Sequence, residues 1–319
     1  MSGQHENDVL RGTDWEKESA GLTKSVGAID IVCNLFTEKE VALRGESVGP
    51  EFLSKVRLSG ERQSGLSVES LITLLDEANI DMAFIPATKA GSERMRDSWV
   101  LPYERVAEVC AEWPDRFRGL AGIDPTTGMR GLRELERGVR DFGFVGAHIY
   151  PHWFELAPDE SRYYPFYSKC CELNIPVMMQ VGHCLKYGRN HTFPSVGRPI
   201  TLDTIACHFP ELVIIGIHIG YPWTDEMISV AYKHENVYIG SDAYAPKHWP
   251  ESFKHYLATY GQDKVLFGTD FPVIDPVRAT REIEDLGLSQ PVKSKLLREN
   301  ALRLFNLGDW SGAGQGSGD

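Results

Sequence analysis

The sequence predicts a single (β/α)8 barrel of the TIM type, and three observations carry that prediction. Eight short runs rich in β-branched and apolar residues recur along the chain. Longer stretches of helical periodicity separate them, which is the alternation expected of parallel strands joined by crossover helices. The later runs follow one another at roughly the thirty-residue spacing of a βαβ unit, and no GxGxxG fingerprint marks an open dinucleotide-binding sheet.

Taken in order, the eight runs are AIDIVCNLF from Ala28, DMAFIPA from Asp81, FRGLAGID from Phe117, FVGAHIYP from Phe144, PVMMQVG from Pro176, LVIIGIHIG from Leu212, NVYIGSD from Asn236 and KVLFGTD from Lys264. Among the connections, SVESLITLLDEAN places Val68, Leu71, Leu74 and Leu75 on one helical face behind Ser67, a residue type that caps helix N-termini. MRGLRELERGVRDFG, DEMISVAYKHE and VKSKLLRENALRLF read as helices too, with Asp225 and Glu226 near a helix start, where the macrodipole favours acids. An insertion between Leu35 and Leu66 carries RGESVGPEFLSKVRLSGERQSG; it is expected to cover the barrel mouth or to support a subunit contact. The barrel is assigned to residues 28–307. Segments 1–27 and 308–319 are rich in polar residues, Gly, Ser and charge, and are expected to be a flexible N-terminal segment and a disordered tail.

At 319 residues and 42% hydrophobic content, the chain can bury one large core. Its 45 acidic against 33 basic residues, a net charge of −12, disfavour nucleic acid, because phosphate neutralisation needs clustered Lys and Arg. No apolar run has the length of a membrane span or a signal-peptide core, so the expectation is a cytoplasmic protein with no membrane partner. The six cysteines form no CxxC pair and sit mostly in apolar segments, where reduced thiols pack as small hydrophobes.

Reacting groups of such barrels sit at the C-terminal ends of the strands, whose interiors must stay apolar. The polar residues there are Asn34, Lys89, Asp124, His148, Gln180 with His183, His218, Asp242 and Asp270. His148 and His218 interrupt apolar strands, and Asp270 lies in FGTDFPV, where Gly268 and Pro272 mark an abrupt exit. Imidazole and carboxylate are suitable ligands for Zn²⁺ or Fe²⁺, which would activate a bound water. Trp153, Tyr221 and Trp223 follow strand ends and suit a bulky apolar or aromatic acyl group. Lys89 is a candidate for a substrate carboxylate or phosphate, His183 for an extra ligand or acid, Asp242, beside Asp270 at the mouth, for orienting a ligand, and His152 and His191 for weaker roles. Each residue also has an ordinary role open to it: a core histidine, a turn-capping Asp, a solvated Lys, an aromatic ring packed on a helix.

Eight segments, AIDIVCNLF, RFRGLAGIDP, GFVGAHIYP, IPVMMQVG, ELVIIGIHIGYPWTDEMI, NVYIGSDAY, KVLFGTDFPV and LRENALRLFNL, in this order over roughly Ala28 to Leu307, resemble the amidohydrolase superfamily. The branch is the amidohydrolase-related one that contains aminocarboxymuconate-semialdehyde decarboxylase and γ-resorcylate decarboxylase. Its HxH pair after an ID dipeptide falls here on Val32 and Asn34, and its strand-five histidine falls on Gln180, so three usual ligands are absent; His218 and Asp270 match. The resemblance implies a metal-dependent enzyme of one or two ions, often dimeric, and gives strand four, with His148, a bridging role in binuclear relatives. Three arrangements follow. One is a rebuilt site of His148, His218 and Asp270, assisted by the Asn34 or Gln180 amide and holding iron or zinc; the others are a metal-free enzyme using His218 and Asp270, and a binding barrel without catalysis. The leading expectation is hydrolysis of an ester, lactone or thioester such as an acyl-CoA, less readily an amide, of an apolar or aromatic acid. In that scheme Asp270 shuttles the proton and His218 stabilises the oxyanion. The alternative is nonoxidative decarboxylation of an aromatic or unsaturated acid.

Overall fold

The computed structural model describes residues 27–45, 49–56, 58, 63–92, 94, 95, 98–184 and 192–308. The expected N-terminal segment and tail, apart from residues 27 and 308, lie outside the described residues, as does His191. Eight parallel strands form one sheet: β1 (Ala28–Asp30), β2 (Ile80–Ala87), β3 (Phe117–Gly122), β4 (Gly146–Ile149), β5 (Val177–Gln180), β6 (Ile214–Ile217), β7 (Val237–Gly240) and β8 (Val265–Leu266). Each pairs with the next in sequence. The first and last are joined by Ile31 N–H to the Phe267 carbonyl (3.1 Å), Asp270 N–H to the Val32 carbonyl (2.8 Å) and Asn34 N–H to the Phe271 carbonyl (3.1 Å), with a parallel bridge between Cys33 and Phe271. These bonds close the barrel at the strand exits.

Alternation of side chains along each strand sorts the core into two layers. Ile29, Ile31, Met82, Phe84, Leu120, Met178, Ile215, Ile217, Tyr238 and Leu266 fill the interior together with Leu304 and Phe305, and the Phe84 and Phe305 rings meet edge-on at 4.7 Å. Ala83, Ile85, Ala121, Ala147, Ile149, Val177, Met179 and Ile239 face the surrounding helices. The same period of two carries the inner rows onward to polar residues: Met178 to Gln180, Tyr238 to Asp242, and Leu266 to Asp270.

Ser67 caps the helix Val68–Glu77, its hydroxyl accepting from Ser70 N–H at 3.1 Å, and Leu71, Leu74 and Leu75 are buried. Met129–Arg140 and Thr224–Lys233 are helical as expected. The last expected helix is instead broken into Gln290–Ser294, a π-helical turn at Lys295–Glu299, and Asn300–Leu304. At that turn Arg298 donates to the Gly27 carbonyl (2.8 Å) and Asn300 Nδ2 to the Val265 carbonyl (2.8 Å), holding the closing segment to both edge strands.

The insertion after β1 folds into the helices Glu38–Arg44 and Pro50–Lys55. A salt bridge from Arg105 Nε to Glu40 Oε1 (2.9 Å) pins the first to the barrel's outer helices, and the second contributes Phe52 and Lys55 to a cavity at the mouth. Among the described residues no disulfide joins the cysteines, and no helix is long and apolar enough to cross a membrane.

Candidate active site

Strands β6, β7 and β8 leave the barrel through left-handed backbone at His218 (φ 67°), Ala243 (φ 66°) and Asp270 (φ 52°). That region costs a non-glycine residue about 1–2 kcal/mol, and such strain gathers where function over-determines the backbone. Here it accompanies three polar side chains that meet. His218 Nε2 lies 3.2 Å from Asp242 Oδ2 and 3.6 Å from Asp270 Oδ2. Asp242 Oδ1 accepts from the His218 backbone N–H at 3.2 Å, and the Gln180 amide lies 3.1 Å from His218 Nδ1.

Burial opposes charge on His218, but the Asp242 carboxylate, followed by that of Asp270, outweighs it and raises the imidazole's proton affinity. Burial pushes the Asp270 carboxyl up from 3.8 to about 6; His218 pulls it back, and Asp242 adds to the rise. The site therefore holds two groups able to exchange protons near neutrality.

Asn34 sets the orientation of Asp270. Its Nδ2 donates to Asp270 Oδ1 (2.8 Å) and to the Phe271 carbonyl (2.9 Å). A peptide carbonyl can only accept, so the amide must present its nitrogen on this side. Asn34 Oδ1 accepts from Arg44 Nη2 at 3.3 Å, and Arg44 also donates to the Leu35 carbonyl at 3.2 Å. Asp30, one strand turn deeper, takes Thr269 N–H (3.0 Å), Thr269 Oγ1 (2.5 Å) and Val32 N–H (3.1 Å). It clamps β1 to the exit of β8 next to Asp270, and burial pushes its carboxyl up to about 7.

A cavity of about 290 Å³ opens at this cluster. Gln180 and His218 line it with Phe52, Val56, Tyr244 and Ile274, and its other polar residues include Lys55, His183, His248 and Arg278. No Asp or Glu is among its described lining residues, in a chain whose net charge is −12.

Of the residues singled out from the sequence, Asn34, Gln180, His218, Asp242 and Asp270 come together, and His183 lines the cavity. His148 is buried on β4 with its ring edge-on to Tyr150 at 4.4 Å. Neither of its ring nitrogens has a hydrogen-bond partner among the described residues, and burial pushes its pKa down to about 3. The ligating atoms of His148, His218 and Asp270 do not all come within 4.8 Å of one another. Among the described residues that condition is met by Asp203, Cys207 and His234, which lie on outer helices, where Lys233 (2.6 Å) and His234 (2.6 Å) already engage Asp203.

Lys89 is buried away from the cavity, ion-paired with Glu134 and 5.0 Å from the Tyr103 ring. Trp153 packs against Phe193 (5.0 Å) and Trp99 (6.5 Å), outside the cavity lining. Tyr221 packs on Tyr244 (5.0 Å) and Trp223 on His183 (4.9 Å), so each touches a lining residue. Asp124 caps its own turn through Thr126 N–H at 2.8 Å, and His152 Nε2 meets the Gly182 carbonyl at 2.9 Å. Sequence reasoning passed over Asp30, Arg44, Lys55 and Arg278. Asp30 was visible within the ID dipeptide; the three cations carry no local signal.

Residues 76–307 match the family model described as Amidohydrolase. The chain belongs to the amidohydrolase family of enzymes. The γ-resorcylate decarboxylase of Polaromonas sp. is 25% identical over 289 residues, covering 74% of this chain and 86% of the relative. A TIM-barrel protein of Bordetella bronchiseptica superposes with TM-score 0.71 at 22% identity, covering 88% of this chain and 98% of its own. The 5-carboxyvanillate decarboxylase of Novosphingobium aromaticivorans, solved with manganese and 3-methoxy-4-hydroxy-5-nitrobenzoic acid, gives TM-score 0.69 at 19% identity, over 90% of this chain and 99% of its own. These relatives correct the expectation of acyl-bond hydrolysis: those with named activities are decarboxylases of aromatic acids, not esterases, lactonases or thioesterases.

Proposed function

We propose that this enzyme is a nonoxidative decarboxylase of an aromatic or conjugated unsaturated carboxylic acid. The observation that carries the reading is the cavity. It is lined by Lys55, Arg278 and imidazoles without an acid, and it opens on His218 held between two carboxylates. An anion with a flat apolar body suits such a lining: Lys55 and Arg278, whose Nε also pairs with Glu282 at 2.7 Å, take the carboxylate, while Phe52, Val56, Tyr244 and Ile274 take the ring. The decarboxylases among its relatives support the same class.

The chemistry follows from the proton inventory. Asp270 accepts the proton of a ring hydroxyl beside the carboxylated carbon, which raises electron density on that carbon. His218 Nε2–H then protonates the carbon. The bond to the carboxylate breaks, its electron pair returns to the ring, and CO₂ leaves; Asp270 returns its proton to the ring oxygen, and solvent restores the proton to His218. The net change is one proton in and one CO₂ out.

Manganese in the carboxyvanillate enzyme supports a divalent ion as a cofactor in this family. The residues of this chain do not fit one. Val32 is apolar and fully buried, Asn34 turns an N–H donor toward Asp270, the Gln180 amide nitrogen faces His218, and His148 does not bring its ligating atoms within 4.8 Å of those of both His218 and Asp270. His218 is left with Asp270, and neither His148 nor Asp242 completes with them a set of three ligating atoms within 4.8 Å of one another, where a structural or catalytic ion wants at least three protein ligands. The iron or zinc expected from the sequence has no better ligand set.

The test is a screen of hydroxybenzoic and conjugated unsaturated acids for CO₂ release in D₂O, with deuterium expected at the vacated carbon. His218→Gln should cut turnover by about 10²–10⁴, the usual weight of a general acid, while a nitro analogue still binds. Deuterium incorporation unaffected by His218→Gln would remove His218 from the mechanism, and binding of such acids without any CO₂ release would refute the reading. The same proposal places the enzyme in the cytoplasm as a homodimer, checked by cell fractionation and light scattering.

A further inference from the structure

We infer that this barrel mouth works without a metal ion, with the guanidinium of Arg44 supplying fixed positive charge and the amides of Asn34 and Gln180 filling the ligand positions. The inference rests on the decarboxylase reading for the reaction served, and on named atoms for the rest.

The chain of contacts runs from Arg44 Nη2 to Asn34 Oδ1 (3.3 Å), from Asn34 Nδ2 to Asp270 Oδ1 (2.8 Å), and from Asp270 Oδ2 toward His218 Nε2 (3.6 Å). Turning the Asn34 amide over to offer its oxygen would set that oxygen against the Asp270 carboxylate and the Phe271 carbonyl, and would withdraw the acceptor from Arg44. The Asn34 donor is therefore locked from two sides. Gln180 differs: its amide serves either protonation state of His218 Nδ1, because rotation swaps donor for acceptor. A metal-bound histidine at that position would lack this freedom.

Arg44 stands where a charge is needed and is built to stay. It ends the helix Glu38–Arg44 and is 9% exposed. Its guanidinium lies 4.9 Å from the Trp99 ring and 5.2 Å from the Phe36 ring. Burial lowers the proton affinity of Arg44, with Tyr150, Asp270 and Glu40 acting against that fall; a guanidinium starts from so high a value that it keeps its charge, and it presents a rigid fork of donors. Arg44 is a positioning residue: it acts on Asp270 through Asn34, and the polarised amide passes part of its field along. The early insertion thereby contributes to the reaction centre as well as to the cavity wall.

The test uses the full-length protein, and its first arm needs no substrate, so failure of the decarboxylase reading leaves it intact. Protein purified without added metal should contain less than about one-tenth equivalent of any transition metal. Manganese titration, followed by the electron paramagnetic resonance of the free aquo ion, should show no uptake at the mouth. A variant carrying Val32→His, Asn34→His and Gln180→His should take up manganese at least about tenfold more tightly than wild type. Wild-type protein that retains close to one equivalent of manganese, iron or zinc, lost in Asp270→Asn, overturns the inference whether or not the triple variant folds. The second arm reads the relay: Arg44→Met should move the acidic limb of the turnover profile to higher pH, and Arg44→Lys should keep it in place. A lowered but unmoved limb in Arg44→Met overturns the role given to Arg44.

Discussion

The Asp270 carboxylate should destabilise the fold it serves, and Asp270→Asn measures by how much. Burial raises its pKa from 3.8 to about 6 in the folded chain. A group whose folded pKa lies above its unfolded one adds stability that is fully present below the unfolded value and is lost as pH rises through the folded value. The carboxylate thus costs the native state most above pH 7. At about 1.36 kcal/mol for each tenfold change in proton affinity, the rise from 3.8 to about 6 sets the cost at ~3 kcal/mol. An uncharged amide of the same shape escapes it. The variant should be more stable than wild type by up to ~3 kcal/mol at pH 8 and by about half that at pH 5, where the wild-type group is largely protonated when folded. At about 2 °C per kcal/mol for a domain of this size, the melting temperature should rise by ~6 °C at pH 8. Unfolding of both proteins by heat and by urea at pH 5, 6.5 and 8 gives the double difference, in which all other titrating groups far from the site cancel. A variant no more stable at pH 8, or one whose advantage does not shrink toward pH 5, would refute the assignment of a buried, proton-hungry carboxylate. Turnover should fall in the same variant, since the charge that weakens the fold is the one the reaction uses.

The cavity lining makes a second claim. Lys55→Ala and Arg278→Ala should each raise KM for an aryl carboxylate by about 10–100-fold, the weight of a charge-assisted hydrogen bond, with kcat changed far less; steady-state kinetics that show the loss in kcat alone would reassign both side chains. A third prediction concerns Gly182, which has φ +92° and would set a Cβ 2.3 Å from the Tyr221 carbonyl oxygen. Its own carbonyl meets His152 Nε2 at 2.9 Å. Gly182→Ala should cost about 2 kcal/mol or more, read from the denaturation midpoint, and an unchanged midpoint would mean that the loop after β5 yields more easily than its contacts indicate.

The barrel was legible because its signals are local. Alternation within strands, helical period between them and the Ser67 cap all arise within a few residues of one another, so the order of elements follows from the chain read end to end. The same period of two leads from Met178, Tyr238 and Leu266 to Gln180, Asp242 and Asp270, so the sequence by itself determined the fold class and the polar ring at its mouth. It also made plain that Val32, Asn34 and Gln180 stand in the usual ligand positions. What those replacements do was decided by tertiary structure. Lys89 looks like its neighbours at the strand ends, yet its ammonium is taken by Glu134, 45 positions along the chain. His148 has the residue type and place of a ligand, yet it does not gather its ligating atoms with those of both His218 and Asp270 within 4.8 Å. Asn34 becomes a clamp only because barrel closure brings Asp270 against it from 236 positions away, and Arg44 enters the centre because an insertion with no strong pattern folds back over the mouth. Periodicity reports which face a side chain takes; which groups share a few ångströms depends on closure of the sheet and on helix packing, where residues far apart in sequence set the charge and hydrogen bonds that govern a proton.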